Sequence, residues 1–453
     1  MIFKLGELFC GAGGLAYGAK MAGGVYGSEE YRVEHVWGND QDPDACATYA
    51  TNILGSPLTV LQGEDFPSKK DLSLEARKRG VAAICSPVSD LCFSHLHRID
   101  ALAFGFPCND YSTVGESRGL LGEYGPLYSY GVEVLNAHAP RWFIAENVGG
   151  LANARHQQAF QRIINELHNA GPGYDLTVHL YRFEQYGVPQ TRQRIIIVGI
   201  NRNEGLTFKI PAPTTRYQPV TAEKALENIA DEAPNHERVP LSPAVQARLD
   251  SLLPGENAWN DRIPMEHRLN VRGAHLSQIY RVLDPNKPSY TITGSGGGGT
   301  HGYHWKIPRR ALTNRERARL QSFPDDFVFE GGRESVRRQI GMAVPPSGAQ
   351  IIVQAILKTF AREPYDSVPS YWTTIKRGSK LVLRRQAVRD ENQLSLENAG
   401  LEVLESLNYA DDSEEAAGYG AASSSSLEPE DEVDLSSQQN VLFDLDLLAS
   451  HTD

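Results

Sequence analysis

Cys108 closes the run Phe104-Gly105-Phe106-Pro107-Cys108, in which an apolar strand stops at a proline and a cysteine follows. A thiol at the carboxyl edge of an α/β sheet is exposed enough to act as a nucleophile, and that edge is where open sheets bind their ligands. A second apolar run ends in Ala145-Glu146-Asn147-Val148, which brings a carboxyl group to the same edge. A cysteine and a glutamate at the ends of adjacent strands suit covalent addition assisted by an acid. Gln190-Thr191-Arg192-Gln193-Arg194 opens a further strand, and Arg192 and Arg194, two apart, face the same side. Taken singly, the two arginines also have a bland reading as solvated surface residues.

A binding turn stands nearer the N-terminus. Phe9-Cys10-Gly11-Ala12-Gly13-Gly14 follows a strand and precedes a helix, and glycines there let the backbone approach a ligand closely. It is neither the G-x-G-x-x-G fingerprint nor a P-loop, for no Walker lysine follows. Residues 36–40 end a strand in Asn39-Asp40, and an acid at that place is the expected partner of ribose hydroxyls. Residues 109–131 are polar and glycine-rich, fit for a mobile loop closing over a site.

The elements that must hold these groups follow from periodicity. Residues 2–9, 101–106, 142–145 and 194–200 read as strands. The last is almost wholly β-branched and apolar, as a strand buried on both faces should be. Residues 15–22 read as a helix, as do 156–170, where Phe160, Ile163, Ile164 and Leu167 share one face. Strand–helix alternation of this kind predicts a doubly wound α/β sheet over residues 1–200. Residues 201–311 lose helical periodicity and gain Pro, Gly and polar residues, including Gly294-Ser295-Gly296-Gly297-Gly298-Gly299. They read as a smaller, irregular second domain. Residues 312–363 return to helix, with Thr313 and Glu316 forming a capping box, so the first domain resumes there. Order is expected to end at Pro364, apart from a short basic amphipathic element over 376–389.

The chain has 453 residues and a formal net charge of −12. That acidity is local. Residues 391–453 carry sixteen Asp and Glu and no Lys or Arg, which leaves 44 basic residues against 40 acidic ones in the rest. A mildly basic body permits nucleic-acid binding. The tail, with Ser423 to Ser426 in a row, cannot bury enough apolar surface to fold alone. Residues 441–448 form an apolar–acidic cluster that reads as a docking motif or a sticky terminus. Five cysteines, without any C-x-x-C, argue against a disulfide framework and a thiolate zinc site. No run approaches 18 uninterrupted apolar residues and no signal-peptide core is seen, so a cytoplasmic or nuclear-type protein is expected.

In this order and spacing the blocks resemble the cytosine-C5 DNA methyltransferase family over roughly residues 5–360. The shared set is the 9–14 turn, Pro107-Cys108, Glu146-Asn147-Val148, residues 190–194, the helix over 312–323 and the 341–346 turn. The resemblance implies a Rossmann-like class I methyltransferase sheet with helices on both faces, S-adenosylmethionine as cofactor without a metal, and duplex DNA as substrate. Phe9 would lie against the adenine, the backbone of Gly11, Ala12 and Gly13 near the methionine moiety, and Asp40 on the ribose. Asp90 and Leu91 stand where the family has an acidic–aliphatic pair on the adenine. Gly105, Pro107 and Leu127 would line the pocket, closed by Ala343 and Val344. Cys108 would attack C6 of a cytosine turned out of the duplex, with Glu146 at N3 and the 4-amino group. Arg194 would grip O2, and Arg192 would support the pocket. Ser112 and Thr291 would meet the DNA backbone. Residues 201–311 would be the target-recognition domain.

Three residues depart from the family pattern, and two of them, Gln41 and Met342, bear on the cofactor. Gln41 replaces an aromatic that stacks on adenine, Asn109 replaces the glutamine after Pro-Cys, and Met342 replaces an asparagine of the closing segment. An RNA enzyme of the same fold is the nearest rival, although its insert is usually shorter. A zinc deaminase would need P-C-x-x-C, and Asn109-Asp110-Tyr111 follows Cys108 instead. A silent binding relative is the third alternative. The chain resembles bacterial or phage enzymes, so a cytoplasmic, nucleoid-associated monomer with a cognate restriction endonuclease is the expected setting. The acidic tail either solubilises the protein or mimics DNA across its basic cleft.

Overall fold

The computed structural model describes residues 1–106, 127–152, 157–269, 277–294, 298–300, 302–378 and 380–385. Strand β1 (Ile2–Leu8) leads through the glycine turn into helix α1 (Gly14–Met21). A hairpin of β2 (Gly23–Tyr26) and β3 (Glu29–Asp40) follows, then α2 (Pro43–Tyr49). Asp42 caps α2, accepting from the N–H groups of Asp44 and Ala45, and Pro43 stands in its first turn. Next come β4 (Val60–Gln62), α3 (Lys69–Arg79), β5 (Ala82–Cys85) and β6 (Ala101–Gly105). Helix α4 (Tyr128–His138), β7 (Trp142–Val148), α5 (Gln157–Asn169), β8 (Tyr174–Arg182) and β9 (Gln193–Asn201) complete the first part of the chain.

These strands lie in one sheet in the order β4-β5-β3-β1-β6-β7-β9-β8. From β4 to β7 the pairing is parallel, while β9 and β8 run antiparallel. Strand β1 has β3 on one side and β6 on the other, so the chain reverses its direction of travel across the sheet there. A crevice at the carboxyl ends of the strands is the geometric result. The residues of β6, β7 and β9 alternate between two cores. Leu102, Phe104, Phe143, Ile195 and Ile197 pack with α4 and α5 on one face. Trp142, Ile144, Ile196, Val198 and Ile200 pack with α1 on the other. Burial on both faces explains why 194–200 reads as a continuous β-branched run.

The chain between β9 and the return is largely loop: a two-residue strand β10 (Ile210–Pro211), α6 (Ala222–Ala225) and α7 (Pro243–Asp250). It has a small core of its own around Val245, Leu249, Ile263, Val282 and Tyr303. Helix α8 (Asn314–Leu320) opens with the capping box formed by Thr313 and Glu316, and α9 (Arg333–Met342) and α10 (Pro346–Ala361) follow. Helix α10 packs on α1 and belongs to the same core. Residues 333–361 are long and apolar enough to cross a membrane by composition. However, the chain breaks at 343–345 between α9 and α10, and 67% of the most apolar window is buried inside the fold.

Two expectations are corrected. Order continues past Pro364: after β11 (Ser367–Val368), β12 (Trp372–Arg377) and β13 (Lys380–Arg385) form an antiparallel hairpin that extends the sheet beyond β8. Trp372 and Leu381 are buried against α5, and that burial is what holds the basic hairpin in place. Secondly, residues 128–131, assigned to a loop, are the first turn of α4, whose Val134 and Leu135 reach the core. The remainder of that loop lies outside the described residues, as do Pro107, Cys108, Asn109 and Ser112, the glycines 295–297, and the chain from 386 onward.

Candidate active site

A cavity of about 460 Å³ opens at the carboxyl ends of β1, β3, β5 and β6, where the sheet order reverses. Its floor is the turn after β1. Phe9 and Gly11 have positive φ, 54° and 52°, so the chain doubles back tightly there. Gly14 is required by packing: a Cβ there would run into the carbonyl oxygen of Val344. The closing segment 342–344 therefore sits directly against the start of α1.

Asp40, at the end of β3, braces this floor. Its Oδ2 accepts from the Gly11 N–H at 2.8 Å, and its Oδ1 from the Asp42 N–H at 3.0 Å. Burial raises the carboxyl above its ordinary value, with the two amide donors pulling the other way. Gln41 and Met342 line the mouth; Met342 is 70% exposed. Ala12, Gly105, Leu127, Ala343 and Val344 also line the cavity, but Gly13 of the same turn does not.

Asp90 and Leu91 do not. The turn after β5 presents Pro87, Val88 and Ser89 to the cavity instead. Asp90 faces outward, 3.9 Å from the Lys69 ammonium, and Leu91 is buried in the core. The one-turn helix Val88–Asp90 rotates these two side chains away. A lining residue that sequence reasoning missed is Glu7, in β1 two residues before Phe9. It is 4% exposed, and its Oε2 has no hydrogen-bond partner among the described residues. Burial pushes its carboxyl up to about 8, the Tyr49 hydroxyl opposing and Asp40 adding to the shift. A lone acid inside an apolar strand was its signal.

Glu146 lies at the far wall. It sits near the end of β7, paired in register with Gly105 of β6 and Ile196 of β9. Glu146 shares a sheet face with Trp142 and Ile144, and Arg194 shares it with Ile196 and Val198. Arg194 Nε donates to Glu146 Oε1 at 2.9 Å, with both side chains about 15% exposed or less. Burial raises the Glu146 carboxyl above the usual glutamate range, although Arg194 and then Arg192 pull it down.

Arg192 stands just before β9 and is 1% exposed. Its guanidinium donates to the carbonyls of Ile292 (3.1 Å), Gly341 (2.8 Å) and Ala343 (3.0 Å). It ties three segments of chain together beside the cavity. Thr291 spends its hydroxyl on the Thr191 carbonyl at 2.7 Å.

An acid-bearing wall beside a glycine-floored cavity suits a nucleotide-like ligand set against a proton-dependent reaction. Residues 3–358 match the family model described as C-5 cytosine-specific DNA methylase. The type II methyltransferase M.BbvI of Brevibacillus brevis is 52% identical over 379 residues, covering 82% of this chain and 95% of that protein. M.NgoFVII of Neisseria gonorrhoeae, also a type II methyltransferase, is 38% identical and covers 81% of this chain and 89% of its own. Among solved structures, a protein described as a DNA modification methyltransferase encoded within an E. coli prophage superposes with a TM-score of 0.56 at 22% identity. That superposition covers 79% of this chain and 99% of the other.

Proposed function

The chain belongs to the C-5 cytosine-specific DNA methylase family, and from that premise we propose that it methylates C5 of a flipped-out cytosine through a covalent adduct of Cys108. The enzyme is a DNA (cytosine-5-)-methyltransferase of restriction-modification type, and its family is S-adenosylmethionine-dependent. The observation that carries the finer reading is the buried Glu146, held by Arg194 on the wall of the glycine-floored cavity.

The cavity suits that cofactor. Phe9, Leu15, Val88, Leu127 and Val344 offer apolar walls for an adenine, and Asp40 has lone pairs left for ribose hydroxyls. The unpartnered oxygen of Glu7 suits an ammonium group. When bound, S-adenosylmethionine supplies an electrophilic methyl group.

Cys108 follows the end of β6 by three residues, and Gly105 of β6 pairs with Glu146. Its thiolate adds to C6, forming the S–C6 bond and breaking the ring's aromaticity. Glu146 protonates or hydrogen-bonds N3, so the electron pair released by the addition comes to rest at C5 as an enamine. After methylation the C5 proton leaves to a base, its electron pair re-forms the C5–C6 double bond, the thiolate departs, and N3 returns to Glu146 any proton it took. Arg194 holds Glu146 and the base O2. The base must first leave the stack, at a cost of about a few kcal/mol. Residues 1–200 with 312–363 act as the catalytic domain, and 201–311 read the DNA, with Ser112 and Thr291 at its backbone. The enzyme works as a monomer on cytoplasmic DNA beside a cognate endonuclease.

Methyl-labelled S-adenosylmethionine, mixed-sequence duplex DNA and a Cys108→Ser control test this. Label in 5-methylcytosine with the natural protein and none with the variant is the expected result. Label in RNA alone, or undiminished transfer by the variant, overturns the reading.

A further inference from the structure

Two buried glutamines lie outside the chemistry just described. Gln190 and Gln321 are fully inaccessible, and neither lines the cavity. Gln190 Oε1 accepts from the Ile292 N–H at 2.8 Å. Gln190 Nε2 donates to Gln321 Oε1 and to the Leu320 carbonyl. Gln321 Nε2 donates to the carbonyls of Ile340 at 3.0 Å and Ala343 at 2.8 Å. An unbroken line of amides thus runs from Ile292, in the chain leaving the insertion, to Ala343, which lines the cavity.

The line has a fixed direction. Turning either carboxamide over would set donor against donor or acceptor against acceptor along the whole path. The two segments it joins also touch directly. A Cβ on Gly341 would strike the backbone of Gly294, so nothing but glycine lets them close. The insertion is held further by the Thr191 N–H, which donates to the Ser289 carbonyl at 2.7 Å. Arg192 crosses the same junction, but it stands beside Glu146 and serves the active site as well.

We propose that Gln190 and Gln321 are a positioning pair that couples the cofactor-closing segment to the DNA-reading insertion. The proposal rests on the function assigned above. Seating the cofactor fixes Ala343, the amide line fixes Ile292, and the insertion is thereby set for DNA. By linkage, DNA must tighten the cofactor site by the same factor.

The test uses the full chain, with S-adenosylhomocysteine as probe. Its dissociation constant is measured by equilibrium dialysis, alone and with saturating sheared unmethylated duplex DNA that the natural protein methylates. A ratio of at least about 5 is expected for the natural protein. Gln190→Met and Gln321→Met keep the volume and remove the amides, and the ratio should fall to within two-fold of one. Affinity for the probe alone should move less than about three-fold, and the double variant should match the singles, as for residues acting as one unit. Should the Met variants fail to fold by thermal unfolding, Gln321→Glu keeps the acceptor toward Gln190 and loses both donors, and the ratio should fall likewise. A merely structural pair would weaken both affinities and preserve the ratio. That result, or a ratio of one in the natural protein, overturns the coupling. Absence of methyl transfer by the natural protein would instead strike the functional reading.

Discussion

Replacing Glu146 by glutamine should separate what this residue does for the reaction from what it does for the fold. The two side chains of the Glu146 and Arg194 pair are 13% and 15% exposed, so solvent screens their 2.9 Å contact little. If attraction dominated, deleting one charge of such a pair would cost about 3–5 kcal/mol. The raised carboxyl says otherwise: burial of the charged form outweighs both arginines. Glutamine keeps an acceptor for Arg194 Nε, and Arg194 retains the Gln193 carbonyl at 2.7 Å. The expected stability change at neutral pH is therefore within about 1 kcal/mol, some 2 °C or less in melting midpoint. The pH dependence follows from linkage. A carboxyl raised on folding contributes stability that is fully present below its unfolded value, and that contribution is lost as pH rises through the folded value. The variant does not titrate there, so its midpoint should gain on the natural protein as pH rises above the ordinary 4.5. Methyl transfer should meanwhile fall about 10²–10⁴-fold, or roughly 3–5 kcal/mol of barrier. Thermal unfolding at several pH values, beside single-turnover transfer with labelled cofactor, reads both effects. A midpoint lowered by about 6 °C or more would refute the electrostatic argument. Retention of more than a tenth of the rate would refute the proton-donor role.

Asp40→Asn turns one of two amide-bracing oxygens into a donor facing an N–H, so dialysis should show S-adenosylhomocysteine bound about ten-fold more weakly. Gly14→Ala drives a methyl into the Val344 carbonyl; a stability loss of about 1–3 kcal/mol by denaturant titration, with weaker probe binding, is expected. Ending the chain at residue 390 removes sixteen acids and should leave the melting midpoint unchanged. Ending it at 363 strips Trp372 and Leu381 from the core and should cost about 3–6 kcal/mol in the same melt. For the 390 truncation, DNA affinity unaltered across salt concentrations would end the idea that the tail mimics DNA.

The site was legible where chemistry and local periodicity coincide. Glu146 and Arg194 could be placed because each borders a run of apolar residues that can only be a buried strand, and alternation then fixes the face. The 9–14 turn was legible for the same reason. Asp90 was misread because a single 3-10 turn changes which side chains face the cavity, and spacing alone does not carry that rotation. The hairpin over 372–385 was under-read because its charges mask a strand pattern. Leu381 and Leu383 alternate properly, but their burial depends on α5, far off in the chain. The pairing of Gln190 with Gln321 spans 131 residues, and no local pattern announces it.

The contact of Gly14 with Val344 also sets a clock. The first residues of the cavity floor and the last of its lid are separated by nearly the whole catalytic body, including the insertion. At a translation rate of roughly 5–20 residues per second, the lid leaves the ribosome about 15–70 s after the floor. A growing chain therefore carries Cys108, Glu146 and the glycine turn before residues 342–344, which line the cavity, have been made. Synthesis order therefore places the meeting of α10 with α1, which brings Val344 to Gly14, last among the contacts that enclose the cavity.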